Sequence, residues 1–212
     1  MSRLICLRAL FASEPLPQGM TGEVLVLANG CTDATAEVAR KVPTSARWSP
    51  RVLELSEGGK LKALNTGDTI AKGGCLIYLD ADVVVEPSLI PEIASALNSN
   101  KPLYASGLPV VTTANSWLTQ AYGRFWQKLP FITNGTPGFG LFAMTRSSRQ
   151  RWHDWPDIIS DDTFARLSFS PMERISFSAR YHWPMVEGLG NLVRVRRRQN
   201  IGVAEIEQNC QH

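Results

Sequence analysis

The chain has 212 residues, 44% of them apolar and 19% charged, with 22 basic side chains against 19 acidic ones and a net charge of +3. That length supports one substantial core or at most two small domains, and the composition is that of an ordinary soluble globular protein. The charge is too mild to point to nucleic acid, no apolar run approaches the roughly 20 residues of a bilayer span, and no signal peptide is visible.

Residues 3–12 place Leu4, Ile5, Leu7, Leu10 and Phe11 at helical spacing. Pro15, Pro17 and Gly19 then mark a loop. Residues 23–27 read as a short strand and 28–33 as the turn after it, with Asp33 placed to cap a helix over 34–41. A second strand is expected at 52–55, followed by Gly58-Gly59 and a helix over 60–72.

Next comes Leu76-Ile77-Tyr78-Leu79-Asp80-Ala81-Asp82-Val83-Val84-Val85. Its apolar run has the length and type of a buried parallel strand. In an open α/β sheet, ligands gather beyond the carboxyl ends of such strands. Asp80 and Asp82 leave that end one residue apart, and two such carboxylates repel unless a cation holds them. A hard divalent ion such as Mg2+ or Mn2+, completed by substrate phosphates, meets that need.

A helix over 88–97 completes an alternation of strands and helices that predicts βαβ units and a mostly parallel sheet. Beyond Pro102 the pattern changes. Residues 103–111 read as one or two strands and 116–127 as an aromatic-rich helix. Pro137-Gly138-Phe139-Gly140 is a glycine-rich loop before a strand at 141–144, and a short helix is expected over 163–169. The tail from Val186 crowds Arg194, Arg196, Arg197 and Arg198, ends in a polar segment, and carries no assigned element. Cys6, Cys31, Cys75 and Cys210 are far apart with no CxxC pair, which fits free thiols in a reducing compartment and a cytoplasmic location.

Taken together, the motifs resemble those of the family 2 glycosyltransferases, inverting enzymes of the GT-A fold. Asn29-Gly30-Cys31-Thr32-Asp33-Ala34-Thr35 is similar to the family turn D-N-G-S-T-D-G-T, and Gly59-Lys60 with Ala63-Leu64-Asn65 to its G-K-x-x-A-L-N helix start. Asp80-Ala81-Asp82 resembles the metal-binding D-x-D, Gly138-Phe139-Gly140 the loop near donor and acceptor, and Ser160-Asp161-Asp162 the catalytic E-D pair. The five matches stand in the family's order over roughly residues 3–170.

The resemblance implies a single α/β domain of GT-A type (nucleotide-diphospho-sugar transferase, Rossmann-like). Its donor half would be 1–100, its acceptor half 101–185, and 186–212 a basic tail. It implies non-processive transfer of a sugar from a nucleotide-sugar donor to a hydroxyl on a sugar, lipid or small molecule, with no nucleic-acid partner. Asp162, beside Asp161, would be the general base. Asp80 and Asp82, joined by His182, would hold Mg2+ or Mn2+ as a Lewis acid. Asn29, Asp33, Lys60, Asn65, Asp80, Gly138, Gly140 and Arg197 would face the donor, and the terminal arginines would meet a diphosphate or an anionic membrane surface.

Four departures accompany the likeness. Ala28 stands where the family often has an acid, Asp161 replaces Glu, and the Q-x-x-R-W motif of processive synthases is missing. The family's first strand, central in its sheet and carrying a P-x-x-N-E-like turn, is also missing, as a shortened chain, a misplaced start or, as the alternative, a degraded enzyme would explain.

Each residue also has a plainer reading. Asp80 and Asp82 would be a solvated strand-end turn, Asp161 or Asp162 a helix cap, and Lys60 a surface lysine, since no P-loop is present. Asn65 would anchor a turn, His182 would pack among aromatics, and Trp117, Trp126, Trp152 and Trp155 would be core rather than sugar-stacking residues. From another class, a non-catalytic nucleotide-sugar-binding or scaffold protein would share the same motifs. A nucleotidyltransferase would want a glycine-rich, arginine-bearing loop that this chain lacks.

Overall fold

The computed structural model describes residues 2–112, 116–133 and 135–209, so Cys210 lies outside the described residues. Helix α1 (Ser2–Phe11) leads through a proline-rich loop into β1 (Gly22–Asn29), α2 (Thr35–Arg40) and β2 (Trp48–Leu55). Strands β1 and β2 pair in parallel, Gly22 opposite Trp48 and Asn29 opposite Leu55, as the intervening helix demands. Helix α3 (Lys60–Ile70), β3 (Cys75–Leu79) and α4 (Leu89–Ala96) follow at the expected positions, and a further short strand, β4 (Val84–Val85), lies between β3 and α4.

The remaining elements are β5 (Tyr104–Thr112), α5 (Trp117–Trp126), α6 (Pro130–Thr133), β6 (Leu141–Thr145), α7 (Arg146–Arg149), α8 (Asp161–Leu167), β7 (Arg174–Pro184) and α9 (Leu189–Asn209). Five strands form one sheet in the order β3-β6-β5-β7-β4, while β1 and β2 form a separate pair. The larger sheet takes strands from both sides of residue 100, which ties the expected donor and acceptor halves into one core.

Two hydrophobic clusters sandwich that sheet. One gathers Ile77 and Leu79 with Leu10 of α1 and Leu89, Ile90 and Ile93 of α4. The other gathers Leu76, Tyr78, Phe142 and Met144 with Leu61 and Leu64 of α3 and Ala165 of α8. Alternate residues of β3 therefore face opposite layers, the period-two consequence of the pleat.

Two expectations are corrected. The sheet is mixed rather than mostly parallel, because β6 runs antiparallel to both β3 and β5, and β4 antiparallel to β7. The strand–helix alternation that enforces parallel pairing stops at α4. The stretch after Phe169 also holds two regular elements that went unassigned. Strand β7 alternates Ile175, Phe177, Ala179, Tyr181 and Trp183 with polar residues, a period-two signal present in the sequence. In α9 the arginines mask the buried stripe of Leu192, Gly202 and Ile206. Long arginine stems pack on apolar surface while the charge stays at its edge, and Arg196 lies 4.6 Å over the Trp126 ring.

Candidate active site

The carboxyl ends of β1, β2 and β3 converge. Gly30, just past β1, has a positive φ of 61°, and a Cβ there would lie 2.7 Å from the backbone nitrogen of Gly58. This close backbone approach admits only glycine without rearrangement. Two residues on, Lys60 opens α3, and its Nζ lies 3.3 Å from Asp80 Oδ1 and 3.0 Å from Asp161 Oδ1. One ammonium thus joins three segments far apart in sequence: the start of α3, the end of β3 and the start of α8.

Electrostatics follow from this packing. Burial works against the Lys60 charge, but Asp80, Asp161 and Asp162 outweigh it and hold the ammonium above its ordinary pKa. Asp161 is 3% exposed. Burial raises its pKa, the Lys60 contact pulls it back, and the net shift is upward. Asp162 is raised by burial first and by the Asp161 charge second. Its Oδ1 accepts the Thr163 N–H at 2.7 Å. Asp82 is likewise raised, by desolvation and then by Asp80. Two carboxylate pairs thus converge on one lysine, and in each the later acid, already lifted by burial, is lifted further by its neighbour's charge.

The glycine loop reaches the same place. Gly140 donates no side chain but offers its carbonyl, which accepts the Asp80 N–H at 2.9 Å. At Gly140, with φ 75°, a Cβ would meet Trp183 and Val83, and at Gly138, also φ 75°, one would lie 1.8 Å from the Tyr104 hydroxyl.

Behind the acids, Asp68 forms a half-sunken network that the sequence reading missed. Its carboxylate accepts from Tyr78 Oη at 2.6 Å, Arg149 Nε at 2.6 Å and Trp155 Nε1 at 2.8 Å. Arg149 in turn donates to the Trp152 and His153 carbonyls. Asn65 Oδ1 accepts the Trp155 N–H at 2.9 Å. The segment leading into Asp161 is therefore fastened to α3, and α9 braces its other side, where Glu205 accepts the Ile159 N–H at 3.0 Å.

A cavity of about 1750 Å3 runs along the whole of β1 and β3 and is bordered by Lys60, Asp80, Asp161 and Asp162. Asn29 lines it, and the Asn29 Oδ1 is buried with no hydrogen-bond partner. Such orphaned acceptors are rare in native proteins and call for an explanation.

The sequence profile described as "Glycosyl transferase family 2" matches residues 5–175. The chain belongs to glycosyl transferase family 2, a family of transferase enzymes. Among solved structures, the mannosyltransferase PcManGT of Pyrobaculum calidifontis, in complex with GDP-Man and Mn2+, is 18% identical with a TM-score of 0.67, over 98% of this chain and 61% of that one. S. aureus TarS 1-349 with UDP-GlcNAc is 14% identical with a TM-score of 0.64, over 88% and 55%. The glucosyl-3-phosphoglycerate synthase of Mycobacterium tuberculosis with Mn2+ and UDP-Glc is 16% identical with a TM-score of 0.57, over 88% and 79%. These likenesses establish the GT-A fold. The chain spans less than two thirds of the length of the first two. No curated protein matches the sequence.

In this family 2 chain the structure gathers Lys60, Asp80, Asp161 and Asp162, with Asn29 and Asp33 along the same cavity. Asp33 Oδ1 accepts the Thr35 N–H at 3.1 Å, supporting a helix that begins at Thr35 rather than at Ala34. The Asn65 side chain is occupied with the Trp155 backbone of a distant segment rather than with a turn beside it.

Two expected residues are placed elsewhere. His182 Nε2 is 4.0 Å from Glu86 Oε1, and β7 pairs it with Val84 rather than turning it to Asp80 and Asp82. Arg197 lines a separate groove of about 620 Å3 with Leu118, Tyr122 and Leu192, because α9 packs along α5.

Among the described residues, no group of three or more His, Cys, Asp or Glu side chains is gathered for a metal. Asp80 and Asp82 still fit one. Burial and then the Asp80 charge lift Asp82, a strain a cation would relieve, and Mg2+ is commonly held by one or two carboxylates with substrate phosphates completing the shell.

Proposed function

We propose that the chain transfers a sugar from a nucleotide-sugar donor to a hydroxyl acceptor, with inversion and without processivity. The observation that carries this reading is the Lys60 clasp, which holds a cation-seeking carboxylate, Asp80, and the acid pair of α8 at one cleft. Solved complexes of two proteins sharing the fold contain Mn2+ and a nucleotide sugar. Asp80 and Asp82 would hold Mg2+ or Mn2+, which when bound supplies Lewis-acid stabilisation of the departing nucleoside diphosphate. Lys60, at the amino end of an eleven-residue helix, adds its charge to the helix dipole on the phosphates. Asn29 and Asp33 border the donor, and the Asn29 acceptor would take a hydrogen bond from it.

Of the two acids, Asp162 suits the base. Asp161 is enclosed and bound to Lys60, whereas Asp162 is only partly enclosed and commits one oxygen to Thr163. Asp162 accepts the proton of the acceptor hydroxyl as that oxygen bonds to the anomeric carbon. The bond from that carbon to the diphosphate oxygen breaks on the opposite face, so one displacement inverts the centre. The positive φ of Gly138 and Gly140 would let the loop backbone run close to the donor–acceptor junction.

The acceptor hydroxyl belongs to a sugar, a lipid or a small molecule. Leu189 and Val193 are exposed on α9 along the groove that Arg197 lines, and support a peripheral membrane contact. No helix among the described residues is long and apolar enough to cross a membrane.

Calorimetric titration of UDP-, GDP- and dTDP-sugars, with and without Mn2+, tests the reading. Mn2+-dependent binding lost in Asp82→Ala is the expected outcome. Binding of none of the donors, or binding indifferent to both Mn2+ and Asp82→Ala, would overturn it. Donor binding without turnover would instead favour a non-catalytic nucleotide-sugar-binding protein.

A further inference from the structure

Helix α8 opens on the acid pair without the device that ordinarily fixes a helix start. Ser160 stands at its N-cap, where a serine hydroxyl accepts a backbone N–H of the first turn. Here that hydroxyl makes no such bond. The residues leading in, 150–160, form neither helix nor strand. A start of this kind lets the carboxylates shift unless something outside α8 holds it. Asn65 and Asp68 reach only as far back as Trp155, and Lys60 ties the Asp161 side chain. The two residues directly before the acids are held from elsewhere.

Their holder is α9. Gly202 stands well inside that helix, where glycine is a weakening choice. Its φ is not positive, so backbone conformation does not call for it. The contact does: a Cβ there would lie 2.3 Å from Ser160 Oγ and 2.9 Å from Ile159 Cβ. Glu205, on the same face of α9 as an i, i+3 neighbour, accepts the Ile159 N–H at 3.0 Å. The helix is itself well anchored. Leu192 and Ile206 are buried, and Arg196 lies 4.6 Å over the Trp126 ring. Trp126 in turn meets the Phe139 ring of the glycine loop at 4.7 Å. One helix therefore backs both the loop and the acid pair. It lies wholly beyond residues 5–175, which carry the family match.

We infer that Gly202 and Glu205 are positioning residues for the proton transfer: through Ser160 and Ile159 they set the direction of the Asp162 carboxylate, although neither borders the cavity. A backbone N–H given to a carboxylate is a charge-assisted bond, stronger than a neutral one, and suits the tethering of an irregular segment. A movement at Ser160 turns the first turn of α8 and both carboxylates with it. Misplacement by about 1 Å at a reacting group costs on the order of 100-fold in rate. Donor contacts through Asn29, Lys60 and Asp80 belong to other elements, so the effect falls on turnover rather than on donor affinity. The catalytic consequence rests on the proposed sugar transfer; the tether itself does not.

The test compares Glu205→Ala, Glu205→Gln and Gly202→Ala with the wild type in the full chain, by steady-state transfer, donor calorimetry with Mn2+ and residue-resolved amide exchange. Glu205→Ala and Gly202→Ala should lower kcat at least tenfold and leave the donor Kd within twofold. Glu205→Gln, whose amide oxygen can accept the same N–H, should keep most of the rate. The Phe164 N–H, which donates to Ser160 O at 3.0 Å, should exchange at least tenfold faster in the two impaired variants, with β3 and β6 amides unchanged. An unaltered kcat in both, or equal loss in Glu205→Gln and Glu205→Ala, would overturn the inference. So would loss of protection throughout the chain in Glu205→Ala, which would make α9 a general support. Should Gly202→Ala fail to fold, the two Glu205 variants decide. A wild type that binds donor and transfers nothing would overturn the transfer reading, and with it the catalytic role. Phe164 exchange would then still decide the tether, unchanged exchange overturning it.

Discussion

Strands β6 and β1 are both short apolar runs, and the molecule treats them differently. Every residue of β6, Leu141 to Thr145, is buried between β3 and β5. Along β1, Val24, Leu25, Val26 and Leu27 stay half-buried, and only Ala28 is enclosed. Composition does not separate them; neighbours do. A strand written for burial on both faces reaches that state only when both of its edges are paired and both layers close over it.

The comparison yields predictions of decreasing size. The largest concerns the network beneath the acids. Asp68→Ala strands Arg149 in a nearly closed site, where its side chain is 10% exposed. Removing one partner of such a pair costs about 3–5 kcal/mol, to be read by denaturant unfolding. Next, Met144→Ala on β6, at a site with no exposure, should cost about 2–5 kcal/mol by transfer and cavity terms. Leu27→Ala on β1 should cost less than half of that. Equal losses at the two sites would break the comparison.

Third, Gly138→Ala combines a positive φ with a Cβ driven onto the Tyr104 hydroxyl. Backbone strain of this kind costs about 1–3 kcal/mol, visible as a lower melting temperature.

The smallest effect is a pH dependence. Burial and Asp161 hold Asp162 above its unfolded pKa. Its contribution to stability is therefore fully present below the unfolded value, near about 4, and is lost as pH rises through the folded value. Without divalent metal, Asp162→Asn should match the wild type in stability near pH 4 and exceed it increasingly toward neutral pH. A constant gap across that range would remove the upward shift from the account.

Much of this was legible in the sequence, for identifiable reasons. Apart from the two-residue β4, the elements from α1 to α4 announced themselves through period and punctuation, and the acids pointed to the cleft because two carboxylates at a strand end need a partner. That the partner includes Lys60 was only half visible: its helix-start position suggested an anion, not which acids it would bridge. Asp68 carried no signal, since a single mid-helix aspartate is ordinarily solvated. Strand β7 did carry one in its alternation of Ile175, Phe177, Ala179, Tyr181 and Trp183. Helix α9 hid behind its arginines, and that concealment also sent Arg197 to the donor in the sequence reading.

The central claim is that Asp162 takes the acceptor proton at a donor site organised by Asp80 and Lys60. The most direct measurement is sugar transfer, from the donor that calorimetry identifies, by the wild type and by Asp162→Asn, with the anomeric configuration of the product read by NMR. The account predicts an inverted product, a rate lowered about 100- to 10,000-fold by the substitution, and unchanged donor affinity. A retained configuration, or transfer by Asp162→Asn at the wild-type rate, would contradict it.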